Sequence, residues 1–121
     1  MREKDFQIKF NHWLKNVYKQ TGAFELKITK TDSLPFSAVK QHQLDALLNA
    51  KKGVFVFKIP DCGYQNPFDT FCLTGVPAFI VIKYPDFFCL IDIDAFITEK
   101  NISTRKSLMA ERAKELSTII I

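Results

Sequence analysis

Apolar residues recur at helical spacing at the start of the chain, where Phe6, Phe10, Trp13, Leu14 and Val17 form one stripe and Lys9, Lys15 and Lys19 lie elsewhere on the surface. The pattern predicts a helix over residues 4–20, closed by Thr21-Gly22. The period then changes, and residues 23–30 read as a strand. Alternate residues of a strand share a face. Glu25 and Lys27 therefore stand side by side on one face, while Phe24, Leu26 and Ile28 pack on the other.

Thr31 to Pro35 reads as a loop, with Ser37 as N-cap of a helix over about 38–50 whose apolar side is Val39, Leu44, Leu47 and Leu48. Lys51-Lys52-Gly53 ends it. Val54 to Ile59 is an apolar strand, Pro60 to Pro67 a loop, and Asp69 opens a short strand, Thr70-Phe71-Cys72-Leu73. After a turn at Gly75-Val76-Pro77, residues 78–83 and 87–93 form a hairpin around Tyr84-Pro85-Asp86. Asp94 to Asn101 is a short helix or turn followed by loop, and Ser103 or Thr104 caps a final helix to about Ser117. The tail Ile119-Ile120-Ile121 is apolar, which suits burial against the body or a second subunit. The predicted order is α-β-α-β-β-β-β-α, an α/β (α+β) chain with a mixed β-sheet flanked by helices in a single domain over residues 1–121.

Charge sharpens this picture. Of the net +4, residues 1–58 carry 11 Lys/Arg against 5 Asp/Glu, and residues 59–121 carry 6 against 8. A basic half of this kind suits a polyanion, although a solvated lysine-rich helix face has the same composition. No apolar run approaches the ~18 residues of a bilayer span, and the charged N-terminus has no signal-peptide pattern, so a cytoplasmic location is expected. The three cysteines, Cys62, Cys72 and Cys89, lack Cys-x-x-Cys spacing, and His12 and His42 lack a partner at ligand spacing; neither a disulfide framework nor a zinc site is expected.

The candidate chemistry lies in Glu25-Leu26-Lys27. A carboxylate holds a hard divalent cation, and a neighbouring ammonium orients or activates a water. That pairing is the minimal equipment for metal-dependent phosphodiester hydrolysis, but a plain ion pair on an exposed strand has the same sequence.

Residues downstream of the triplet separate these readings. Leu34-Pro35-Phe36-Ser37 and His42-Gln43, in this order after a Glu-x-Lys strand, resemble the RecU-type Holliday junction resolvases and related phage proteins of the PD-(D/E)XK nuclease superfamily. The resemblance runs from about Phe24 to Leu48 and loosely onward through the 78–97 region. It implies a restriction-endonuclease-like fold, a Mg2+- or Mn2+-dependent endonuclease, branched or four-way DNA as substrate, and a homodimer. These nucleases place a metal-binding aspartate on the strand before Glu-x-Lys, and here only one helix precedes Glu25. Asn66-Pro67-Phe68-Asp69 provides the proline turn, aspartate and strand in a later position. Asp69 is therefore expected to have migrated to an inserted strand lying beside residues 23–30, with Asp61 as a secondary candidate. On this reading Asp69, Glu25 and the Leu26 backbone carbonyl hold the metal, Lys27 positions the water, and Gln43 hydrogen-bonds the cluster from the adjacent helix. Lys30, Phe36, Ser37, Lys40, His42, Lys58 and Tyr64 are the expected DNA contacts. The alternatives are another repair- or restriction-type nuclease of the same superfamily, a DNA-binding module that does not cut, and a protein-interaction domain.

Overall fold

The computed structural model describes residues 2–19, 22–53, 55–58, 69–72 and 75–121, the two four-residue stretches as backbone only. Helix α1 (Glu3–Trp13) continues into a wider turn, Leu14–Tyr18, in which the Lys19 N–H reaches back five residues to the Leu14 carbonyl at 2.8 Å. The wider turn rotates each residue less than an α-helix does. Val17 consequently leaves the apolar stripe and is 67% exposed, contrary to the expected continuous helix. Lys19, at φ 55°, ends the turn in the left-handed region, the role expected of Gly22.

Strand β1 (Ala23–Ile28) is followed by β2 (Ser33–Pro35), a short turn of 3-10 helix at Phe36–Ala38, and α2 (Gln41–Lys52). The helix thus starts later than expected, with Lys40 rather than Ser37 at its N-cap, and it stops on Gly53 at φ 81° as expected. Strands β3 (Phe55–Lys58) and β4 (Asp69–Cys72) pair antiparallel with each other, Lys58 opposite Asp69. Then come β5 (Ala78–Lys83), β6 (Phe88–Asp92) and α3 (Ile93–Ile102), the last a full helix where a short helix or turn and a loop were expected. Asp92 caps it, accepting from the Asp94 N–H at 3.0 Å.

The expected final helix divides. Ser107–Met109 is a strand, β7, antiparallel to β2 with Leu108 opposite Leu34, and α4 begins only at Ala110, running to Leu116. Both leucines are buried, and this long-range pairing outweighs any local helical preference of residues 103–109. The apolar tail packs on the body as the edge strand β8 (Ile119–Ile120), paired with Cys89 and Leu90.

The main sheet has the order β1-β5-β6-β8, with β1 and β5 parallel and the other pairs antiparallel. Its central strand β5 is apolar and buried on both faces from Ala78 to Ile82, the pattern of a strand covered from two sides. On one face, Ile80, Ile82, Cys89 and Ile91 pack against Leu44 and Leu47 of α2, Phe96 of α3 and Ala113 of α4. On the other, Phe79, Val81 and Leu90 pack against Phe6 and Phe10 of α1, joined by Phe24, Leu26 and Ile28. The expected mixed α/β architecture is therefore present, with helices on both faces of the sheet. No described helix is long and apolar enough to cross a membrane.

Candidate metal and phosphodiester site

The two faces of β1 differ as its alternation predicts. Phe24, Leu26 and Ile28 belong to the α1-side core, while Glu25 and Lys27 project to the α2 side with side chains 28% and 18% exposed. Lys27 Nζ stands 3.4 Å from Glu25 Oε1. Gln43, in the first turn of α2, donates Nε2–H to the same oxygen at 3.0 Å. Its other amide atom, Oε1, accepts the Lys40 N–H at 2.9 Å. A helix begins with N–H groups that have no intrahelical partner. Using Oε1 to satisfy that of Lys40 directs the Gln43 amide nitrogen at Glu25. One side chain thus caps the helix and orients the carboxylate.

The backbone of β1 adds a second oxygen. Ala23 N–H bonds Pro77 O at 2.8 Å and Thr29 N–H bonds Lys83 O at 3.0 Å, at either end of the parallel ladder. Backbone groups along a strand alternate sides. Residues 23, 25, 27 and 29 therefore direct theirs at β5, and the Leu26 carbonyl points to the opposite edge. No described strand pairs with β1 on that edge. There a cavity of about 180 Å³ is lined by Phe24, Glu25, Leu26 and, from α1, Glu3 and Gln7. Glu3 was not among the expected site residues, and its position at this edge comes from the packing of α1 across the sheet.

The expected migration of Asp69 is not what the strand pairing shows. β4 is hydrogen-bonded to β3, and the neighbour of β1 is β5, which places Ile80 beside Glu25. The side chains of Asp69 and Lys58, and all of Asp61 and Tyr64, lie outside the described residues. Among the described residues there is no group of three or more His, Cys, Asp or Glu side chains arranged to hold a metal. Glu25 and the outward Leu26 carbonyl form a partial set of hard oxygen donors. Such a set suits Mg2+, which keeps several waters and takes few protein ligands.

The expected DNA contacts separate. Ser37, Lys40 and His42 are exposed around the start of α2, and Lys30 is exposed just past the end of β1. Phe36 is instead a core residue, 5% exposed, its ring edge-on to Phe96 with centroids 5.7 Å apart. The turn after β2 folds inward because Leu34, Phe36 and Val39 are all drawn into the same apolar cluster. Lys51, at the end of α2, is paired with Asp92 at 2.9 Å and with Asp94. Those carboxylates, Asp94 first, hold its ammonium above the ordinary lysine range. Cys89 is buried, and burial pushes its thiol up.

The chain matches no protein-family model, no curated protein and no solved structure.

Proposed function

We propose that this protein is a Mg2+- or Mn2+-dependent endonuclease that hydrolyses DNA phosphodiesters, with four-way or branched junctions as the preferred substrate. The observation that supports this reading is the convergence of Lys27 and Gln43 on one carboxylate oxygen of Glu25, beside the outward Leu26 carbonyl. A simple exposed ion pair needs neither the amide from α2 nor the carbonyl at the strand edge.

Glu25 and the Leu26 carbonyl would hold the cation, with waters in most of its other positions and Glu3, which lines the same edge of β1, as the further carboxylate. The metal, when bound, supplies neutralisation of developing phosphate charge and a lowered pKa for a water. The protein's own residues do the rest. Gln43 holds Glu25 in one rotamer, so the donor set is oriented before substrate arrives. Lys27 orients the attacking water and stabilises charge on the non-bridging oxygens. Exposed Lys30, Ser37, Lys40 and His42 contact the DNA backbone. Symmetric nicking of a junction needs two such sites, and a homodimer supplies them.

The test is cleavage of a labelled four-way junction and of a linear duplex of equal length, with Mg2+ or EDTA, by the wild type and by Glu25→Ala, Asp69→Ala and Glu3→Ala. Paired nicks that need Mg2+ and vanish in Glu25→Ala support the nuclease, and the other two variants identify the second carboxylate. Equal cleavage of both DNAs shifts the reading to a repair- or restriction-type nuclease. Binding without any cleavage leaves a DNA-binding module.

A further inference from the structure

The row formed by Glu25 and Lys27 continues past β1. Thr29 is the next residue on that face, about 7 Å beyond Lys27 at a rise near 3.3 Å per residue. It opens a cavity of about 310 Å³ lined by Ile28, Thr29, Lys30, Lys83, Tyr84 and Pro85. The cavity lies outside the carboxyl ends of β1 and β5, the parallel pair, where open α/β sheets commonly bind ligands. Lys83 is half-buried, and its ammonium donates to the carbonyls of Tyr84 at 2.5 Å and Pro85 at 3.0 Å. Those contacts fix its position without neutralising it, and neither Lys83 nor Lys30 forms an ion pair among the described residues. Exposed Asp32 and Asp86 lie in the two adjoining turns, and neither lines the cavity. The Tyr84 phenol is buried and neutral, held well above the usual tyrosine range by desolvation.

We infer that Lys83 and Lys30 form a phosphate subsite for the DNA strand held at Glu25 and Lys27, binding a phosphodiester about two to four nucleotides from the scissile bond. This rests on the nuclease reading. Phosphates recur every 3.4 Å of axis along one strand of B-DNA, so a strand lying along β1 places a neighbouring phosphate over the cavity. Lys83 is the preorganised member, and Lys30 is the adaptable one.

The test uses a fluorescent four-way junction, with binding titrated in EDTA over a range of salt and cleavage measured with Mg2+. Lys83→Gln preserves a donor for the two carbonyls and removes the charge; Lys83→Arg preserves both. Lys83→Gln and Lys30→Gln should each weaken binding about fivefold and lower the slope of log K against log salt by about one. Lys83→Arg should stay near wild type. Wild-type affinity and salt slope in both Gln variants, with wild-type cleavage intact, overturns the subsite and leaves the nuclease standing. A wild type that neither binds nor cuts DNA overturns both. Weakened binding in Lys83→Arg, with a lowered melting temperature, assigns Lys83 a structural role and overturns the subsite.

Discussion

Gln43 donates to Glu25 Oε1 at 3.0 Å across 18 residues of sequence, joining the first turn of α2 to the middle of β1. The same amide caps its own helix through the Lys40 N–H. Helix capping and carboxylate orientation thus depend on a single side chain, and substitutions there can tell stability and activity apart.

Gln43→Ala removes both contacts. Urea unfolding should show a loss of about 1 kcal/mol, the usual cost of an N-terminal capping interaction. Gln43→Glu keeps an acceptor for the Lys40 N–H but sets a second carboxylate against Glu25. It should recover most of the stability at low pH, where carboxylates are protonated, and less of it at neutral pH. Equal unfolding free energies for Gln43→Ala and wild type would show that the cap contributes nothing.

Glu25→Gln is nearly isosteric and removes the charge. On the nuclease reading we expect cleavage in Mg2+ to fall on the order of 10³-fold, the scale of losing an electrostatic element of a preorganised site. The thermal midpoint should move little, because the side chain is over a quarter exposed. Lys27→Met should lower cleavage similarly while leaving Mg2+ affinity intact or raised, since its ammonium competes with the cation for Glu25. Calorimetric titration of Mg2+ beside single-turnover cleavage separates these effects, and cleavage within threefold of wild type in Glu25→Gln would remove this carboxylate from the mechanism.

Alkaline pH should destabilise the fold through three groups. Tyr84 is fully buried, its hydroxyl donating to the Leu108 carbonyl at 2.8 Å, and burial raises its pKa. Cys89 is raised for the same reason, and Lys51 is raised by Asp94 and Asp92. All three bind their protons more tightly when folded. The unfolded chain therefore releases protons first, and stability falls as pH rises from about 8.5. The Lys51 contribution is complete below the ordinary lysine range and is lost as pH climbs through its raised folded value. Tyr84→Phe should cost about 1 kcal/mol at neutral pH by removing a buried hydrogen bond, and should make the alkaline limb shallower. Chemical unfolding at several pH values between 7 and 11 checks both; an unchanged limb in Tyr84→Phe would show that another group sets it.

Glu99 is nearly buried on α3 and receives two bonds from Arg112 of α4, Nε to Oε1 at 3.1 Å and Nη2 to Oε2 at 3.0 Å. Glu99, and secondarily Glu115, raise the Arg112 guanidinium above its ordinary value. Arg112→Ala leaves a desolvated carboxylate without its partner and should lower the melting temperature clearly at pH 7. Adding Glu99→Gln should restore part of the loss, since the buried charge is then absent. A double variant no better than Arg112→Ala would show that the cost was lost packing rather than an unpaired charge.

The sequence alone determined what local periodicity encodes. The two faces of β1, the 78–93 hairpin, the apolar side of α2 and its glycine stop all come from residue spacing within one element. The Gln43 contact was also anticipated, but through a family resemblance rather than through periodicity. Tertiary structure decided what depends on distant partners. Residues 33–35 and 107–109 are strands because Leu34 and Leu108 bury each other across the chain. Phe36 left the candidate interface because the core had room for it beside Phe96. The β4 strand joined β3 rather than β1, a choice of hydrogen-bonding partner that no local pattern expresses. Glu3, Lys30 and Lys83 came to their cavities only through the packing of α1 and the parallel alignment of β1 with β5. Side-chain alternation is a property of one strand. Which side chains gather at a given edge of that strand is settled by the burial of the whole sheet.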